Sequence, residues 1–159
     1  HRVPTMIKWP GVTKPGAVTD ALFAQIDLMA TFANYLGQEL PKNSAEDSHD
    51  FLPYLKGESK ALPRTTMVHN TFKDQYAIRD GDWVLIDAKT GVARQPSAEW
   101  LKKHDVPAYN NQAVGLYNIR EDIGQKYNLA EKHPEKVKEL QALLKKIRDQ
   151  GYSAPRLAK

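Results

Sequence analysis

Five histidines are the first place to look for chemistry, at His1, His49, His69, His104 and His133. None falls in an HxH or HExxH pair, so their spacing does not describe a zinc site. The sequence has no cysteine, which removes thiolate ligands, thiol nucleophiles and disulfides within the chain. GxSxG, Walker-type and dinucleotide glycine patterns are absent as well. The densest polar cluster is "EDSHD", with Glu46, Asp47, His49 and Asp50. It has the oxygen donors of a hard-metal loop but lacks the turn glycine and later bidentate Glu of a calcium hand. Helix capping by Asp47 and Ser48 ahead of "FLPYL" is the plainer expectation. His69 ends a β-like run beside Asn70, and strand ends are where sheet domains present polar groups to ligands. His69 and Asn70 are therefore the candidate substrate-side contacts, set against a partly buried histidine satisfied by backbone. Arg79 and Lys73, flanking the next strand, read as surface charges or as a grip on an anion. No catalytic residue and no metal site emerge from these residues.

The elements that must position these groups change character along the chain. Thr5 to Trp9 alternates as a buried strand and is stopped by Pro10-Gly11. Thr19 or Asp20 can cap a helix over Ala21–Leu36 that is apolar around nearly its whole circumference, with Gly37 as left-handed C-cap and Pro41 beyond. One strand, a turn and a mostly buried helix resemble the closing unit of a larger layered α/β sheet, so we expect the chain to be the late part of a longer protein. A linking loop with a short helical turn at Phe51 to Leu55 follows. "TTMVHN", "DQYAIRD" and "DWVLIDA" then read as an antiparallel meander, with a last strand at "GLYNI". The polar stretch Lys89 to Gly115 and the loop "REDIGQKYNLAEKH" are long enough to suggest functional or flexible segments. A final helix opens at Pro134, carries a Val137, Leu140, Leu144, Ile147 stripe and stops at Gly151.

Composition sets the outer bounds. At 41% hydrophobic and 26% charged, 159 residues suit a soluble globular chain with a sizeable core. The longest apolar stretch, "ALFAQIDLMATFANYL", is shorter than a membrane span and carries Asp27. The net charge of +4 is concentrated in the last helix and tail, where lysines alternate with Glu135, Glu139 and Asp149. That is the pattern of a solvated helix face and argues against nucleic acid as a partner.

Four ordered stretches, "RVPTMIKWPG" (2–11), "QIDLMATFANYLG" (25–37), "YAIRDGDWVLI" (76–86) and "LYNIREDIGQKYNLAEKHPE" (116–135), resemble the C-terminal part of a formylglycine-dependent sulfatase of the arylsulfatase and N-acetylgalactosamine-6-sulfatase-like family. The resemblance implies an α/β fold, the C-terminal portion of an alkaline-phosphatase-like sulfatase, with a small antiparallel sheet packed on a C-terminal helix. Residues 1–62 would close the large domain and 63–159 form the C-terminal subdomain. It implies sulfate ester hydrolysis by the parent, with calcium and formylglycine held by an N-terminal sulfatase portion, a sulfated small molecule or glycan as substrate, and a periplasmic or secreted location. None of the family's catalytic or metal residues maps onto this sequence; Ser153-Ala154-Pro155-Arg156 places Arg one position too early for the formylglycine motif. The chain alone is then expected to be inactive and to bind neither cofactor, with His69 and Asn70 forming part of a pocket wall and the 89–115 loop shaping access. The competing expectations are a binding module for an anionic glycan, using Arg79, Lys73 and His69, and an assembly domain that associates through the apolar helix.

Overall fold

The computed structural model describes residues 3–70, 74–89, 96–106 and 113–157. The chain divides into two compact units, His1–Arg64 with Gly151–Lys159, and Thr65–Gln150.

In the second unit, four strands β1 (Thr66–Asn70), β2 (Tyr76–Asp80), β3 (Trp83–Asp87) and β4 (Gly115–Asn118) form a sheet of order β1-β2-β3-β4, every pair antiparallel. This is the meander that the alternating Val, Ile, Tyr and Trp residues lead one to expect. The two-residue connection at Gly81-Asp82 puts its positive φ, +57°, on glycine, which suits the twist of a tight hairpin. Register places Val68, Ile78, Leu85 and Leu116 in one row across all four strands. That row meets Leu140 and Leu144 of the last helix, Pro134–Gln150, and together they make the core of the unit. Opposite-sign pairs Lys136–Glu139, Lys138–Glu135 and Lys145–Asp149 line the helix's watery side. The loop after β4 is tied down. Asn128 Oδ1 accepts from the Leu116 and Ala130 amides at 3.0 and 2.9 Å, while its Nδ2 donates to the Val114 carbonyl at 2.9 Å. This single side chain satisfies backbone groups along the outer edge of β4, so the stretch has a structural role that its length alone does not suggest.

The first unit departs from expectation at its first strand and at the start of its first helix, while the short helical turn after Phe51 is present as Leu52–Lys56. Residues 3–9 form no strand: their alternation is real, but a strand exists only through ladder bonds, and no described segment pairs with them. Val3 and Met6 are largely exposed as a result. The helix is also shorter, a 3₁₀ turn at Gln25–Asp27 leading into α1, Leu28–Tyr35. Asp27 sets this start by accepting from the Ala24 amide at 2.9 Å, which holds Ala24 extended; of the two expected caps, Thr19 and Asp20, Thr19 bonds instead to the Ala21 amide and the Tyr54 hydroxyl. The C-terminus follows the sequence: Gly37 has φ +64°, and the Gln38 and Gly37 amides close on the carbonyls of Ala33 and Asn34.

The centre of this unit is an ion pair. Asp27 is fully buried and Arg64 is 2% exposed. Arg64 Nη2 lies 2.6 Å from Asp27 Oδ1 and Nε lies 3.1 Å from Oδ2, a two-point clamp. The His49 amide donates to Asp27 Oδ1 at 2.9 Å, and Arg64 donates to the Asp47 carbonyl. Every strong lone pair of the carboxylate is therefore engaged, the condition under which a buried pair becomes tolerable.

Two outcomes follow for stability. Leu116→Ala should cost about 2–5 kcal/mol by opening a cavity in the sheet row, read from urea unfolding. Arg64→Met should cost about 3–5 kcal/mol, because it strands a buried carboxylate, and adding Asp27→Leu should recover part of that loss.

Candidate functional site

His69 and Asn70 lie at the end of β1, an edge strand of the sheet. Neighbouring residues on a strand project to opposite faces. Val68 packs into the core against the last helix, so Asn70 shares that face and His69 takes the other. His69 sits in the row His69–Ala77–Ile86–Gly115, next to the row Met67–Arg79–Val84–Tyr117. The structure thus groups His69 with Arg79 on one face and sets Asn70 apart; a ligand meets both His69 and Asn70 only across the tip of the strand. Burial pushes the His69 imidazole below its usual pKa, which keeps the ring neutral and able to donate and accept at neutral pH. Arg79 Nε donates to the Gly81 carbonyl at 2.8 Å. Lys73, read with them from sequence, lies outside the described residues, as do Arg2 and much of the 89–115 loop.

The "EDSHD" cluster has another purpose than ligand binding. Its side chains diverge: Asp47 accepts from the Ser153 hydroxyl at 2.7 Å, Ser48 accepts from the Ala30 amide at 2.8 Å, and Asp50 takes the Asn34 amide group and the Leu52 amide. Capping is present but differently assigned. Ser48 serves the first turn of α1, while Asp50, not Asp47 or Ser48, holds the start of the short helix α2 at Leu52–Lys56. Among the described residues, no three His, Asp or Glu side chains converge as a metal site.

His49 is the residue that sequence reasoning undervalued. Its ring is buried, and Nδ1 lies 2.7 Å from the Pro63 carbonyl. A carbonyl only accepts, so Nδ1 carries the proton, and Nε2 is a buried acceptor that meets no hydrogen-bond donor among the described residues. Burial, helped by the Arg64 guanidinium, pushes the ring below its ordinary pKa against the opposing pull of Pro63, Asp27 and Asp47. Asp27 and Arg64 were also missed as a pair; the one visible cue was a carboxylate interrupting an otherwise apolar run.

Trp9 packs edge-on against Phe32 and Tyr35, with ring centroids 5.5 and 4.8 Å away. Met29 at 59% and Leu36 at 66% exposure extend the same apolar surface of α1. The side of α1 that carries Asp27, Ala30 and Thr31 is closed, and this other side faces water.

The histidine environments give a signed pH dependence. A depressed folded pKa means that the unfolded chain takes up protons first, so stability is full above about pH 6.5 and falls as pH drops below it. Urea unfolding at pH 7.5 and 5.5 should show this loss, His49→Leu should shrink it, and adding His69→Leu should shrink it further.

Comparison with known proteins gives these observations a context. No family model matches the sequence. An N-acetylgalactosamine-6-O-sulfatase from Bacteroides thetaiotaomicron is 33% identical over 92% of this chain and 27% of its own length. Arylsulfatase A from Bos taurus is 28% identical over 92% of this chain and 29% of its own length. A solved structure described with the metabolism of multiple glycosaminoglycans by Bacteroides thetaiotaomicron superposes with a TM-score of 0.67 at 30% identity, covering 89% of this chain and 28% of the other. The chain thus spans little more than a quarter of the curated relatives it matches. In sequence and in fold, the chain matches part of these sulfatases.

Proposed function

We propose that this chain is the C-terminal part of a sulfatase that hydrolyses sulfate esters of sugars, and that it supplies structure and a wall of the substrate pocket while the catalytic centre lies in an N-terminal portion of the same polypeptide. The observation that carries this reading is the match of nearly the whole chain to about a quarter of an N-acetylgalactosamine-6-O-sulfatase. One feature supports it. The Trp9, Phe32 and Tyr35 side of the first unit has the composition of a surface made to be covered. In this arrangement His69, neutral at working pH, bonds a sugar hydroxyl, with Asn70 reaching the same ligand around the strand tip. Arg79, on the His69 face, adds attraction for the sulfate. The parent is exported, to the periplasm or beyond the cell, where polymeric sulfated sugars are met.

The test compares the 159-residue chain with the polypeptide that carries it and the preceding portion. The longer protein should release sulfate from a 6-sulfated amino sugar, and the chain alone should release none. Turnover by the chain alone overturns the reading. In the longer protein His69→Ala should raise KM several-fold with kcat little changed, the mark of a lost binding contact that does not take part in the reaction.

A further inference from the structure

The long polar stretch between β3 and β4 contains a six-residue helix, α3, Ala98–Lys103. We propose that Trp100 on this helix and His104 at its C-cap, with Lys103 beside them, form a stacking platform for a sulfated oligosaccharide; this rests on the sulfated-sugar reading above.

Trp100 is 45% exposed, unusual for the largest apolar side chain in a protein with a core available to it. Its indole stacks on the His104 imidazole at 4.3 Å between centroids with the planes 30° apart. Residues four apart lie on one side of a helix, so the pair is a product of the helix itself. Lys103 falls on the same side, and among the described residues neither Lys102 nor Lys103 has an acidic partner; Glu99, four before Lys103, makes no ion pair with it.

So short a helix does not hold itself together, and this one is fixed at every point. The Ser97 hydroxyl caps it, accepting from the Trp100 amide at 3.2 Å. Its far end closes through Val106 and Asp105 amides onto the Leu101 and Lys102 carbonyls, with Asp105 held at φ +51° without being glycine. Lys126 reaches Asp105 at 3.4 Å, and Leu101, next to Trp100 in sequence, is buried. The cap, the closing turn and buried Leu101 thus hold the helix while the Trp100 indole stays exposed.

A pyranose ring has an apolar C–H face rimmed by polar groups, and an indole held in one rotamer buries that face at little entropic cost. Lys103 is then placed to meet a sulfate on the rim. The ligand class is a sulfated oligosaccharide of at least two sugars, one on the platform and the other available to the reacting site.

The experiment uses the polypeptide that carries this chain and its preceding portion, with a 6-sulfated chondroitin tetrasaccharide as probe. Equilibrium binding and sulfate release are measured separately for wild type, Trp100→Ala and Trp100→Tyr, with 4-nitrophenyl sulfate as the small substrate. Trp100→Ala should weaken tetrasaccharide binding roughly tenfold, Trp100→Tyr should retain most of it, and KM for the aryl sulfate should not move. Equal tetrasaccharide binding by wild type and Trp100→Ala overturns the platform, even where sulfate release proceeds and the sulfatase reading stands. Parallel loss for both substrates overturns it too, since Trp100 is then a contact within the fold. Trp100-dependent binding without release of sulfate from either substrate keeps the platform and overturns the sulfatase reading.

Discussion

Two charges out of contact with water, the Asp27 carboxylate and the Arg64 guanidinium, tie together parts of the first unit that are far apart in sequence. Asp27 begins α1, Arg64 closes the unit, and the loop between them bonds to both through the His49 amide and the Asp47 carbonyl. Thr31 and Ser48 extend the network with buried hydroxyls, Thr31 donating to the Asp27 carbonyl and accepting from the Phe51 amide. In a low-dielectric interior such a network stands or falls as a unit, since each member removed leaves another unsatisfied. The C-terminal tail joins it from a distance: Ser153 bonds Asp47, and Arg156 donates to the carbonyls of Pro41, Ser44 and Ala45. The same polar loop that looks from sequence like a linker or a metal site is therefore the scaffold that fixes α1.

What was legible in the sequence was what local chemistry decides. The meander, the Asp80-Gly81 turn and the last helix all follow from short-range patterns, and each appears where those patterns place it. Residues 3–9 misled because alternation encodes a face to be buried, while strand formation needs a neighbour that lies elsewhere. The start of α1 misled because a cap at Thr19 is a local option, whereas Asp27 is recruited by an arginine 37 residues away. The polar network was invisible for the same reason: no spacing rule links Asp27, His49 and Arg64. Side-chain alternation at the end of β1 could have been read from sequence, and it separates His69 from Asn70, which adjacency alone had joined.

The two units close their interiors in different ways, and the difference bears on the functional reading. The second buries a continuous apolar row beneath a helix with an ion-paired outer face, and its polar residues of interest stand at a strand end and on one exposed helix. The first saturates its interior with polar bonds and keeps Met29, Phe32, Tyr35 and Leu36 on the outside. Covering a side chain of this size contributes on the order of 1.5–3 kcal/mol, so burial of that surface is worth several kcal/mol to whatever covers it. A freestanding binding module has no physical reason to carry such a surface, and a self-associating domain would bury it against a copy of itself. Coverage by a preceding portion of the same polypeptide uses the same free energy without the entropic cost of bringing two molecules together. On the proposed division of labour, the first unit is an edge to be built upon, and the second holds His69 and Trp100 toward a sugar.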